Sequence, residues 1–230
     1  MNIYADRGNL EVLRRRCEWR GIGFELRGSG ISEELEPGWA DLYYMGGGQD
    51  RDQILCASDF RLRKLEVLAA AAAAGTVILG VCGGYQLLGT SYQVADQQLE
   101  GAGLLDVRTV RVDGPRLIGN VTAAVTLPDG TSGELAGFEN HGGRTYVGQA
   151  STPLGTVLRG HGNNGTDAKE GAWQQNVIGT YLHGPLLPKN VWFADWLIAT
   201  ALRTGPAALS ALDDRLEHLA HLRARKASGL

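Results

Sequence analysis

The stretch that most limits how this chain can fold is residues 76–90, Thr-Val-Ile-Leu-Gly-Val-Cys-Gly-Gly-Tyr-Gln-Leu-Leu-Gly-Thr. Its first six residues are apolar or β-branched throughout, as a parallel strand is when both of its faces are covered. Cys82 follows at once, and two glycines lead into a helical pattern over 83–90. A cysteine on a sharp turn between a buried strand and a helix has the layout of a nucleophile elbow. The glycines around it admit strained dihedrals and close backbone approach. The start of a helix favours thiolate over thiol. The N–H of Gly83 can point at the oxyanion that forms when sulfur attacks a carbonyl.

The flanking pattern builds an α/β layout around that turn. Residues 1–5 predict a first strand. A helix over 9–20 sets Leu10, Leu13 and Cys17 on one face, with Asn9 to cap it and Gly21 to end it. Residues 22–26 alternate as a second strand, and residues 41–45 predict a third that runs into Gly46-Gly47-Gly48. One helical stretch spans 50–74, ending in six alanines with Gly75 beyond them. This strand–helix alternation implies an α/β sandwich with a central, mostly parallel sheet flanked by helices. The second half reads as β-hairpin elements over 105–112, 119–127 and 146–158, with a turn at Pro128-Asp129-Gly130. Residues 176–182 predict another buried strand leading to His183. Helices over 189–203 and 206–226 close the chain, the last amphipathic with a solvated basic tail at Arg223, Arg225 and Lys226. The division expected is a main domain over 1–203 and a C-terminal helix and tail over 204–230.

Composition excludes several function classes. Twenty-two Lys and Arg against 25 Asp and Glu give a net charge of −3, without the clustered basic excess that nucleic acid requires. Three scattered cysteines among 230 residues make neither a disulfide framework nor a zinc site, so no metal is expected and the thiols read as reduced and cytoplasmic. Residues 67–95 carry no charge, but five glycines and several polar residues divide them, so no membrane span is expected. The N-terminus lacks the basic and apolar regions of a signal peptide.

A cysteine nucleophile works with a histidine base. Of five histidines, His218 and His221 fall on the terminal helix, and His161 lies in what reads as a flexible loop, Gly160-His161-Gly162-Asn163-Asn164-Gly165. His183, directly after a buried strand, can meet Cys82 at the carboxyl edge of a parallel sheet, where sites form. His141, in Gly137-Phe138-Glu139-Asn140-His141-Gly142-Gly143, is the competing base. Cys17 and Cys56 read as core cysteines.

The set Gly-Val-Cys-Gly-Gly-Tyr-Gln around Cys82, the glycine run 46–48 and Tyr181-Leu182-His183-Gly184 resembles a class I glutamine amidotransferase domain. More narrowly it resembles the cobyric acid synthase-like (CobB/CobQ-like) branch. Residues 2–9, 16–21, 137–144, 162–165 and 181–190 extend the likeness over about residues 1–200. The resemblance implies a flavodoxin-like sandwich in which Cys82 attacks the side-chain amide of L-glutamine and His183 serves as acid and base. It implies that Gly47, Gly48 and Gly83 form the oxyanion hole and that Arg116 binds the substrate glutamine, a role that suits a guanidinium fork facing a carboxylate. From the residues alone, Arg116 reads as an ordinary surface arginine on a turn. The resemblance further implies a MurT-like Mur ligase partner in a heterodimer. That partner would take the ammonia to amidate the D-glutamate of the lipid II stem peptide, which implies a place for the complex near the inner face of the membrane. No cofactor is expected on this chain, ATP and Mg belonging to the partner; no Gly-x-x-x-x-Gly-Lys-Ser/Thr loop is present.

One position departs from the wider class. A glutamate two residues after the histidine orients it in ordinary triad enzymes, and Pro185 stands there. The nearest downstream acid is Asp195, so the third member is expected either to be absent or to arrive from the partner. The alternatives are a glutaminase of the same branch serving another acceptor, such as a cobyrinate, and a non-catalytic regulatory subunit.

Overall fold

The computed structural model describes residues 7–48, 50–94 and 96–230. The strand expected over 1–5 lies outside the described residues. Helix α1 (Arg7–Glu18) precedes strand β1 (Leu42–Met45), helices α2 (Asp50–Arg63) and α3 (Leu65–Ala73), strand β2 (Val77–Val81) and the short helix α4 (Gly83–Leu88). Strands β3 (Ser91–Val94), β4 (Gln97–Glu100), β5 (Val107–Arg111), β6 (Leu117–Thr126), β7 (Ser132–His141) and β8 (Gly143–Val147) follow. The last strands are β9 (Gly155–Arg159), β10 (Lys169–Glu170), β11 (Ala172–Gln174) and β12 (Val177–Thr180), and helices α5 (Val191–Ala201) and α6 (Arg215–Ser228) complete the order.

The sheet that carries the elbow runs β1-β2-β12-β11. Its first three strands are parallel and β11 is antiparallel on the edge. All five residues of β2 are buried, as a strand covered on both faces requires. Val77, Leu79 and Val81 face a core with Leu13, Ile178, Phe193 and Leu197, while Ile78 faces the other with Phe60, Leu68, Tyr85 and Leu88. Two further four-stranded sheets run β10-β9-β6-β7 and β4-β3-β5-β8. The first is joined to the end of β12 by an isolated antiparallel bridge between Phe138 and His183.

Several expectations need correction. Residues 22–26 form no strand: Ile22 and Phe24 pack on the core, but no strand among the described residues pairs with them, and alternation without a partner makes no ladder. The helix expected over 50–74 is two, broken at Lys64, whose Nζ bonds Asp59 inside the bend; Gly75 does end it, at φ +82°. The helix expected over 206–226 begins only at Arg215, after a short 3-10 turn at Pro206–Ala208. Strands β3, β4, β7, β10 and β11 were not among the expected elements; β7 mixes glycine, charge and amide groups and lacks a β-branched run.

Close approach fixes how α4 sits on the sheet. Gly179 in β12 lies under the Tyr85 ring, which any Cβ there would overlap. Gly179→Ala is therefore expected to cost about 1–3 kcal/mol of stability, or roughly 2–4 °C of melting temperature per kcal/mol for a chain this long. Thermal unfolding followed by circular dichroism measures it.

Candidate active site

Val81 pairs with Thr180 across the parallel β2–β12 ladder, so the two chains leave the sheet side by side. Cys82 is the next residue on one strand, and its N–H donates to the Thr180 carbonyl at 2.8 Å. His183 follows three residues after Thr180 on the other. Its backbone N–H donates to the Phe138 carbonyl at 2.9 Å and its carbonyl accepts from Phe138 N–H at 3.1 Å. The Phe138 and His183 rings pack edge to face at 5.8 Å. The structure thus brings the expected nucleophile and base to one edge of the sheet.

Cys82 has φ 54° and ψ −108°, a backbone conformation that costs a non-glycine residue on the order of 1–3 kcal/mol. Its surroundings over-determine it. A Cβ on Gly84 would overlap the Met45 carbonyl at the end of β1, and one on Gly80 would come within 2.6 Å of Leu88. The third expected part, the loop 46–48, lies against the same turn: a Cβ on Gly83 would stand 3.2 Å from the Gly48 nitrogen. Gln53, buried, donates from Nε2 to the Gly48 carbonyl at 3.1 Å and holds that loop.

His183 is 6% exposed. Burial first, then His141, Lys189 and Arg116, push its imidazole from the ordinary 6.5 down to about 4, and Glu139 opposes them. It is a neutral ring at neutral pH, able to accept a proton. Arg116 is exposed and stands over the end of β7, with Nε donating to Asn140 Oδ1 and Nη2 to the Asn140 carbonyl, both at 2.8 Å.

Other candidates are placed elsewhere. His141 is buried, its ring stacked on Tyr181 with centroids 3.6 Å apart. The loop around His161 is an ordered turn rather than a free one: Asn163 and Asn164 are buried, and Asn164 Oδ1 accepts the N–H groups of Thr166 and Asp167. Pro185 packs on Gly8 at the start of α1. Asp195 is taken up by Arg16 and Arg20, with contacts from 2.5 to 2.9 Å. Among the described residues no group of three metal-ligating side chains exists, and no helix is long and apolar enough to cross a membrane.

Sequence reasoning missed the polar layer behind this edge. Tyr181 Oη meets Thr145 Oγ1 at 2.7 Å and accepts from Gln86 Nε2 at 3.1 Å, and Thr145 meets Thr109 at 2.7 Å. Glu170, fully buried, accepts the Tyr181 N–H at 2.9 Å and the Thr180 hydroxyl. Burial pushes its carboxyl up to about 7. The signal available was an acid between Lys169 and Gly171, which by itself reads as surface.

Residues 1–191 match the CobB/CobQ-like glutamine amidotransferase domain. The chain is 39% identical over 203 residues to the lipid II isoglutaminyl synthase (glutamine-hydrolyzing) subunit GatD of Staphylococcus aureus (strain N315), covering 87% of this chain and 80% of that one. It is 35% identical over 204 residues to the subunit of the same name from Streptococcus pneumoniae, covering 88% and 77%. A cobyric acid synthase of Listeria monocytogenes is 38% identical over 115 residues, 46% of this chain and 21% of that one. Among solved structures, PurLQS from Thermotoga maritima superposes with a TM-score of 0.55 at 21% identity over 75% of this chain and 80% of that one. A glutamine amidotransferase from the same organism gives 0.52 at 15% identity over 95% and 87%. These two show the fold.

The two perturbed groups at this edge give stability an opposed pH dependence. His183, lowered on folding, makes the unfolded chain bind more protons between about 6.5 and 4, so it costs stability as pH falls through that window. Glu170, raised on folding, makes the native chain bind more protons between about 7 and 4.5, so it adds stability as pH falls. Glu170→Gln should remove the second effect and expose the first, a loss on the order of 3 kcal/mol between pH 6.5 and 4. Urea unfolding of both proteins across that range checks it.

Proposed function

The chain belongs to the CobB/CobQ-like glutamine amidotransferase family, and from that premise we propose that it is the glutaminase subunit of a lipid II isoglutaminyl synthase. The observation that carries the reading is the placing of Cys82, in a forced backbone conformation, beside the segment that ends in His183. The near full-length similarity to the two GatD subunits favours this acceptor over a cobyrinate, whose synthase aligns over only 115 residues.

In the proposed reaction the Cys82 thiolate attacks the side-chain carbonyl of L-glutamine. The N–H groups of Gly83 and of the loop holding Gly47 and Gly48 receive the oxyanion. His183 takes the thiol proton and returns it to the departing ammonia, leaving a γ-glutamyl thioester that water hydrolyses to glutamate. Arg116 binds the α-carboxylate as a charged fork. A Mur ligase-like partner of the MurT type, holding ATP and Mg, activates the D-glutamate of the stem peptide and takes up the ammonia to form D-isoglutamine. The complex works in the cytoplasm, where the lipid-linked acceptor faces the inner side of the membrane. With Pro185 packed on α1 and Asp195 held by two arginines, the acid that steadies His183 is expected from the partner. Glutamine hydrolysis is then slow in the isolated chain and faster, mainly in kcat, in the complex.

Cys82→Ala is expected to lower glutamine-dependent amidation by the complex about 10³-fold or more and to leave amidation from high ammonium intact. Persisting glutamate release in that variant removes Cys82 as the nucleophile; His183→Ala and His141→Ala in the same assay separate the two bases. Arg116→Ala should raise KM for glutamine about 10- to 100-fold, as losing a charged hydrogen bond worth ~1.5–3 kcal/mol does. Unchanged glutamine affinity by calorimetry makes Arg116 a surface residue.

A further inference from the structure

Glu139 and His141 lie two residues apart on the buried side of β7, and the reaction above gives neither a part. Glu139 is fully buried, and its carboxylate accepts the backbone N–H groups of His161 at 2.6 Å and Gly162 at 2.8 Å. It therefore anchors the 160–165 turn. His141 is 2% exposed, with its ring stacked on Tyr181 at an interplanar angle of 5°. A carbonyl oxygen can only accept, so the 2.9 Å contact between Nδ1 and the Gly143 carbonyl places a proton on Nδ1. Nε2 is left facing Glu139 Oε2 at 3.6 Å, sealed from solvent and, among the described residues, without a hydrogen-bond partner. A bare lone pair in that place faces a carboxylate; a proton turns the contact into a buried ion pair. The same stretch of chain also holds the candidate base. Tyr181, under the His141 ring, is two residues before His183, and Phe138, next to Glu139, makes the reciprocal backbone bonds to His183.

We infer that Glu139 and His141 are positioning residues for His183: together they clamp segment 181–183 against β7 and set a carboxylate and a second imidazole near its ring. The inference rests on the proposed glutaminase reading only in giving His183 a proton to carry. Among the described residues, four titratable groups bear on that ring. His141, Lys189 and Arg116 disfavour its imidazolium, and Glu139 favours it. Lys189 Nζ is spent on the Gly184 carbonyl at 2.8 Å and Arg116 on Asn140; Cys82 stands at the adjoining strand end. The two members of the pair therefore act on His183 with opposite sign, which packing alone cannot do.

Two variants of the full chain separate these effects. His141→Phe keeps an aromatic ring on Tyr181 and removes the titratable imidazole; Glu139→Gln keeps an acceptor for the 160–165 turn and removes the carboxylate. His183 is followed by NMR titration of its Cε1–H, assigned with His183→Gln, and in the complex by the acid limb of kcat/KM for glutamine. The expected result is a rise of about one pH unit in His141→Phe and a fall in Glu139→Gln, with KM little changed in either. A purely structural role loosens the site and moves both toward the 6.5 of a solvated imidazole; shifts of one sign, or none, overturn the inference. Should Glu139→Gln not fold, His141→Phe decides with amide exchange at residues 181–183: a rise with protection retained supports the inference, and no rise, or a rise with protection lost, overturns it. The titration is read whether or not glutamine is hydrolysed, so opposite shifts in a chain that forms no glutamate fail the functional reading and leave the pair standing.

Discussion

The parallel pairing of β2 with β12 is the constraint on which the rest of the site depends. Its register sets Gly80 against Gly179 and Val81 against Thr180, so the Cys82 turn and the segment ending in His183 emerge at the same level. Two glycines in register let the first turn of α4 lie directly on the sheet, with Tyr85 over Gly179 and Leu88 over Gly80. Shifting either strand by one residue would turn its side chains to the opposite face and bury Tyr85 against a Cβ. The strain held at Cys82 is small beside the apolar surface that α4 buries through Tyr85, Leu87 and Leu88, at about 25 cal/mol per Å².

Behind that edge the protein keeps an unusual amount of polarity out of water. Glu139, Glu170, Thr109, Thr145, Thr180 and Asn163 are all buried at 1% exposure or less. Groups in such places must find partners, since an unpaired buried donor or acceptor costs about 1–3 kcal/mol. Most of theirs are backbone N–H groups and hydroxyls of neighbouring strands: Glu139 takes two amides of the 160–165 turn, and Asn163 donates to the Gly171 carbonyl and accepts its N–H. The second sheet, through β7, thereby braces the edge of the first. A satisfied polar layer of this kind fixes geometry more tightly than an apolar one, because its groups tolerate few alternative arrangements.

On the far side of the sheet, charge does the fastening. Arg16, 1% exposed, reaches both Asp195 of α5 and Asp214 at the start of α6, and Arg20 adds a second fork to Asp195. A buried pair of this sort adds little net stability but makes the loss of one partner costly. It ties α1 and α5 together and orders the lead-in to α6. It also settles the fate of Asp195, the nearest acid downstream of the candidate base, which is committed to structure.

Local pattern alone determined the elbow: a wholly buried strand, a cysteine and a glycine pair admit few other foldings, and β2, Cys82 and α4 stand where residues 76–90 place them. It also determined that β12 is buried and that His183 follows it, because an apolar run of that length between turn residues has few readings. Tertiary structure alone decided what these elements meet. Residues 22–26 alternate as a strand should, yet pair with nothing among the described residues, since a ladder needs a neighbour that pattern does not name. The 50–74 helix breaks at Lys64, where φ of −121° leaves the helical range while the backbone bonds to Phe60 and from Leu68 persist. Strand β7, with its glycines, acid and amides, carries no β signal, and only its ten-residue pairing with β6 and its bridge to His183 make it part of the site. Glu139 and His141 were legible as residue types but not as a buried pair, because burial is a property of what packs around a side chain. Periodicity records which way a residue faces along its own strand, whereas Glu139, His141 and Arg116, which act on His183, lie 40 to 70 residues upstream and only folding brings them within reach.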